Sequence, residues 1–140
     1  SVDNPVIKEA KSLGINIGLP SETISNTKLN NFEYSQYQKA QGKILEQTLK
    51  ILIESPGYQL LDATKREKEF QNTITDVRQQ INDVVFPALM IERYNLPADT
   101  NPQLIRIGLS ALGKLDKFKR MSTEKQGVAL KRLLNIPTNE

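Results

Sequence analysis

Cysteine, histidine and tryptophan are absent from this 140-residue chain. Without cysteine there is no disulfide framework, no thiolate nucleophile and no Cys/His zinc site. Without histidine, a Ser-His-Asp triad and any histidine general base are excluded. The lack of cysteine is compatible with a reducing cytosol but does not require one. Aromatic residues make up only 6%, so the core must be mostly Leu, Ile and Val. Long apolar runs are also missing: the longest, from about Val84 to Ile91, is interrupted by Pro87 and is far shorter than the ~18–20 residues a membrane helix needs. Gly14, Gly18 and Gly57 match neither a P-loop nor a dinucleotide fingerprint, and no cofactor is implied.

What is present suits one modest folded domain: 38% hydrophobic and 25% charged residues over 140 positions. The net charge of +3 is unevenly spread. Residues 1–100 hold 11 Lys/Arg against 13 Asp/Glu, whereas residues 101–140 hold 8 against 3. The chain opens Ser1-Val2 with neither an initiator methionine nor a charged-then-apolar leader. It is therefore expected to be a fragment of a longer polypeptide, without a signal peptide in this stretch and with Ser1 a candidate tag remnant.

Apolar periodicity predicts an all-α fold, a helical bundle built on a long antiparallel hairpin. Asn4-Pro5 caps and opens a short helix over about 5–13, with Val6, Ala10 and Leu13 on one side and Gly14 as its stop. From Ile15 to Leu29 the pattern collapses into an ordered loop or a linker. The isolated Ile15, Ile17, Leu19, Ile24 and Leu29 favour a segment pinned across a surface.

Asn30 and Glu33 form a capping-box variant, opening a helix to about Glu54 with Tyr34, Tyr37, Ile44, Leu45, Leu49, Leu52 and Ile53. Gly42 inside it marks either a close crossing or a weak point. Ser55-Pro56-Gly57 ends this helix. Asp62 then caps the longest one, whose stripe is Phe70, Ile74, Val77, Ile81, Val84, Val85, Ala88 and Leu89. Pro87 should kink or break it, with a kink favoured because apolar residues continue beyond it, and Asn95-Leu96-Pro97 stops it.

A helix pair should follow, over about 102–115 and 123–134, so that residues 1–94 form a hairpin core and 95–140 a basic pair. The first is opened by Asn101-Pro102 and carries Leu104, Ile105, Ile107, Leu109, Leu112 and Leu115, with Gly108, Ser110 and Ala111 making one side small. The second is capped by Ser122 and carries Val128, Ala129, Leu133 and Leu134, after a loose basic connector at Lys117–Arg120.

No catalytic constellation emerges. Glu69, Asp76 and Asp83 recur every seven residues, a spacing that could seat a cation or an acid/base pair. Arg66 and Arg78 share the neighbourhood, and a solvated helix face is the expected role. Tyr34, Tyr37 and Tyr58 could stack bases, but few basic residues interleave with them, which favours hairpin packing with the hydroxyls at the rim. Lys114, Lys117, Lys119, Arg120, Lys125, Lys131 and Arg132 form a candidate basic patch. A DNA-reading helix-turn-helix is disfavoured, since its second helix would have to be polar and its turn tight.

The order of features between Leu13 and Arg78 carries a resemblance. LGINIGLP ends a short helix, a polar connector leads to KLNNFEYSQYQKAQG, and ESPGYQLLDATKREKEFQNTITDVR follows. With Leu29, Glu33, Tyr34, Tyr37 and Gly42, then Tyr58, Leu61, Asp62, Arg66 and Arg78, this half of the chain resembles a helical module of large virion proteins of tailed bacteriophages and prophages. The resemblance implies a tape-measure-like or internal virion protein. It also implies a non-enzymatic structural role, protein partners or self-association, and residence in the virion or, during assembly, in the bacterial cytoplasm. The part after Tyr94 lies outside it. The alternative expectation is a helical nucleic-acid-associated protein using the basic patch.

Overall fold

A computed structural model describes residues 4–138, and the fold is all-α except for one two-stranded hairpin. Seven helices occur among the described residues. The chain divides into two compact units. One takes the described residues of Ser1–Pro20 with Gln36–Ile81, the other Ser21–Ser35 with the described residues of Asn82–Glu140.

In the first unit, α1 (Pro5–Ser12) begins where the Asn4 side chain accepts hydrogen bonds from the Val6 and Ile7 amides. It ends in a Schellman motif: Gly14 has φ +69°, Gly14 N–H reaches the Lys11 carbonyl and Ile15 N–H the Ala10 carbonyl. Val6, Ala10 and Ile15 are buried behind it. Helix α2 (Asn31–Glu54) enters this unit at Gln36 and buries Tyr37, Gln41, Leu45 and Leu49, a strict spacing of four. Leu52 and Ile53 are only half-buried. Ser55-Pro56-Gly57 ends α2 as expected, but the connection is itself a helical turn, α3 (Pro56–Gln59), with Tyr58 buried. Proline at the first helical position, where no amide is needed, permits that turn. Asp62 then caps α4 (Ala63–Arg93) by accepting from the Lys65 amide at 2.9 Å. Phe70, Ile74, Val77 and Ile81 bury one face of α4.

In the second unit the segment read as loop or linker is ordered, and it contains the one pair of strands among the described residues. Strands β1 (Thr23–Ile24) and β2 (Thr27–Lys28) pair antiparallel around Ser25 and Asn26, both with positive φ. Two consecutive left-handed residues give the type I′ geometry that matches strand twist, and asparagine tolerates it well. Two residues per strand are too few to show alternation, so the hairpin leaves no period in the sequence. Ile24, Thr27 and Leu29 are buried; Leu19, in the preceding segment of the first unit, is 70% exposed.

The remainder of α4 belongs to this unit and runs through Pro87 without a break. Its stripe turns: Phe86, Pro87, Leu89 and Met90 are buried, whereas Val84 and Ala88, both assigned to the core stripe, are exposed. A straight 3.6-residue helix drifts around its axis, so the register set at Phe70 does not hold for five turns. Asn95 (φ +51°) ends α4 in a second Schellman motif, with Leu96 N–H on the Ile91 carbonyl.

Asn101 caps α5 (Pro102–Leu112), which packs on α7 (Thr123–Leu133). A β-carbon on Gly108 would lie 3.1 Å from a Leu130 methyl, which makes Gly108 the close-contact position. Ser110 and Ala111, grouped with it above, are half-buried and exposed. In α7 the buried positions are Gly127 and Leu130, not the expected Val128, Ala129, Leu133 and Leu134. The connector expected to be loose is a helical turn, α6 (Asp116–Lys119), anchored by buried Phe118. Gly113 lets the hairpin close on the end of α5: a β-carbon there would lie 2.5 Å from the Asn26 carbonyl oxygen.

Candidate functional site

Glu33, Tyr58, Asp62, Arg66 and Arg78, polar positions singled out by the resemblance, each make a hydrogen bond or ion pair within their own unit. In the second unit, the capping box is reciprocal: Asn30 N–H donates to Glu33 at 2.9 Å, and Glu33 N–H donates to the Asn30 side chain at 2.8 Å. Glu33 also receives a bidentate pair from Arg93, through Nε at 2.8 Å and through one terminal nitrogen. Arg93 further donates to the Lys28 carbonyl at 2.8 Å and to the Tyr94 hydroxyl. Its guanidinium carbon lies 5.5 Å from the Tyr94 ring centre. The Tyr94 hydroxyl donates to Gln126, whose amide nitrogen donates to the Phe118 carbonyl. One arginine therefore ties the helix start, the hairpin and, through tyrosine and glutamine, the α6 turn. Burial pushes the Glu33 carboxyl upward, but its hydrogen bonds to Arg93 and Asn30 and the Arg93 charge outweigh this and hold it below 4.5. Burial pushes Arg93 the other way, and its bonds to Glu33 and Tyr94 hold it above its ordinary value.

Arg93, Tyr94, Gln126, Phe118 and Lys28 line a cleft of about 460 Å³ with Thr23, Asn26, Gly113 and Lys119. The Asn26 amide donates to the Ser110 carbonyl at 2.8 Å, and the Thr27 hydroxyl to the Ser25 carbonyl. Asn26, Thr27, Arg93, Tyr94 and Gln126 in its lining are thus engaged with the chain itself. Neither Arg93 nor Gln126 announced itself in the sequence, because each partner lies tens of residues away.

In the first unit, buried Tyr58 donates to Glu9, and Arg66 lies 3.8 Å from the same carboxylate. Burial raises the Tyr58 phenol, the hydrogen bond and negative charge of Glu9 raise it further, and Arg66 opposes them. Arg78 donates to the Ile17 carbonyl and holds the extended segment after α1. Leu29 and Tyr37 are buried, while Tyr34 and Leu61 are half-buried. A β-carbon on Gly42 would meet no atom within 4 Å, so Gly42 is not at a close crossing.

Glu69 and Asp76 are exposed, and Asp83 is paired with Arg106. Among the described residues no three acidic side chains come close enough to hold a metal ion. Of the basic patch, Lys114, Lys117, Lys119, Arg120, Lys125 and Arg132 are exposed and Lys131 is half-buried. Among the described residues no helix is long and apolar enough to cross a membrane.

Two surface features left no clear mark in the sequence. Helix α5 is apolar on both sides: Ile105, Gly108 and Leu109 are buried, yet Leu104 and Ile107 are 47% and 64% exposed. The other is a groove of about 330 Å³ in the first unit, floored by α2 and walled by α1 and the segment ending at Pro20. A glutamine among leucines in a helix gave no signal for it. Compared with protein-family models, curated proteins and solved structures, the chain matches none.

Proposed function

We propose that this chain is a non-enzymatic structural and interaction module whose helices present surfaces for assembly, as in the phage and prophage virion proteins that its first half resembles. The carrying observation is helix α5. A group of large apolar side chains left exposed on one helix face marks a surface that another could cover, and Leu104 and Ile107 stand outward beside Ala111, at a spacing of three and four residues. A second surface laid on this face would remove them from water, at roughly 1.5–3 kcal/mol per large side chain fully covered. The two long helices, α2 and α4, are read as arms of an antiparallel hairpin that supports such display.

Light scattering over a concentration series tests the assembly reading. Association that is lost in Ile107→Glu supports it, and a strict monomer at all concentrations removes self-assembly through α5. The reading frame that contains this sequence tests the virion class: a long parent among capsid and tail genes supports it, a short independent gene overturns it.

The second reading rests on charge. Lys114, Lys117, Lys119, Arg120 and Lys125 are all exposed on and around α6 and the start of α7, where they could meet phosphates. A salt-dependent shift of any DNA duplex, weakened in Lys119→Glu/Arg120→Glu, supports a nucleic-acid role. No shift at low salt ends it.

A further inference from the structure

Helix α5 carries more than an uncovered apolar face. Its outward residues Leu104, Ile107 and Ala111 are spaced three and then four apart, the narrow seam along which two helices pack. Leu133 of α7, 51% exposed, borders the same helix: its methyl lies 3.5 Å from where a β-carbon of Gly108 would stand. Along the seam a large residue, Leu104, lies on one side of Ile107 and a small one, Ala111, on the other. Charge is divided between the two ends as well. Asp99 is the single charged residue from Pro97 to Leu104, and it is exposed. Past the other end Lys114 and Lys117 are exposed beside Asp116, which leaves a net positive charge.

We infer that this face takes a second copy of itself, with the two α5 helices antiparallel about a two-fold axis at Ile107. A two-fold contact is self-complementary, so every pairing occurs twice. About that axis Leu104 of each copy meets Ala111 of the other, large against small, and the two Ile107 side chains meet each other. Asp99 and Lys114 lie eight and seven residues from Ile107 in opposite directions, so Asp99 of each copy comes beside Lys114 of the other. A parallel pair would instead set Leu104 on Leu104, Ala111 on Ala111 and like charge on like charge at both ends. It would also bring helix ends of the same sign together, whereas the antiparallel pair opposes them. The face thus supplies both halves of its own contact. This rests on the reading of α5 as an association surface and adds to it the partner, the symmetry and the pairing.

The test is sedimentation equilibrium of the full chain at low salt, over a concentration series. A short seam and its flank fall below the roughly 20–30 residues per side of a standard interface, so a weak dimer with a Kd of roughly 0.1–1 mM is expected. Asp99→Lys and Lys114→Asp each turn both attractive pairs into repulsive ones, and each variant should dimerise about 10-fold more weakly. The double swap Asp99→Lys/Lys114→Asp restores both pairs and should return to within about 2-fold of wild type. Asp99→Lys/Lys50→Asp restores the net charge without the pairs, because exposed Lys50 lies on α2, and should stay as weak as Asp99→Lys alone. All the substituted positions are exposed, so an unchanged circular dichroism spectrum certifies the variants as folded. Single variants that match wild type, a double swap that stays weak, or recovery in the Lys50 control overturns the antiparallel pairing, even where Ile107→Glu shows that α5 associates. A wild type that remains monomeric throughout overturns the second copy as partner and leaves the interaction-module reading to a different protein.

Discussion

At the scale of single residues, this protein concentrates its polar chemistry in a few buried anchors. Glu33 and Arg93 are the strongest case, because both are nearly buried and each satisfies more than one partner. Removing one member of such a pair leaves a charge without compensation, so Arg93→Met should cost about 3–5 kcal/mol in urea unfolding. The acid dependence has a definite sign. The Glu33 carboxyl is held below 4.5 in the folded state, so the unfolded chain binds its proton first as pH falls. Its contribution is fully present above that value and is lost as pH drops through the folded pKa. Urea unfolding from pH 6 to pH 3 should show wild type losing more stability below pH 4.5 than Glu33→Gln; parallel curves would disprove the assignment.

At the scale of elements, caps and glycines decide where the chain turns. Asn4, Asn30, Asp62, Asn101 and Ser122 all accept hydrogen bonds from the first turns of their helices. They were legible because capping is a local exchange between neighbours. Gly42 and Gly113 were not. Gly42, read as either a close crossing or a weak point, borders open space; Gly113 drew no attention and sits against the Asn26 carbonyl. Paired thermal melts should separate them. Gly42→Ala should stabilise by about 0.5–1 kcal/mol as a helix-interior change without steric cost. Gly113→Ala should destabilise by roughly 1–3 kcal/mol, since its methyl requires backbone to move. Equal effects at the two positions would contradict these environments. The α6 turn and the β1–β2 hairpin were missed for a related reason: four residues and two residues per strand carry no period.

At the scale of the whole molecule, each compact unit has its own set of fully buried side chains. Leu49 and Phe70 serve the first; Ile105, Leu109 and Leu130 serve the second. Amide exchange should be slowest around these positions and fastest at exposed Leu60 and at the Ser25-Asn26 turn. Slow exchange at the turn with fast exchange at Leu130 would contradict the assignment of the core.

The all-α class, the main helix starts and stops and the lack of a thiol or imidazole site all followed from the sequence alone, because they depend on composition, period and contacts a few residues apart. Only the tertiary structure decided which faces those helices bury. Val84 and Ala88 belong to an apolar pattern yet face water, while Phe86 and Met90 turn inward, because burial depends on what lies opposite. Only the fold paired Glu33 with Arg93 and Tyr58 with Glu9, across 60 and 49 residues. The same holds for the outward face of α5. An apolar residue without cover becomes visible only when every distant neighbour has been placed.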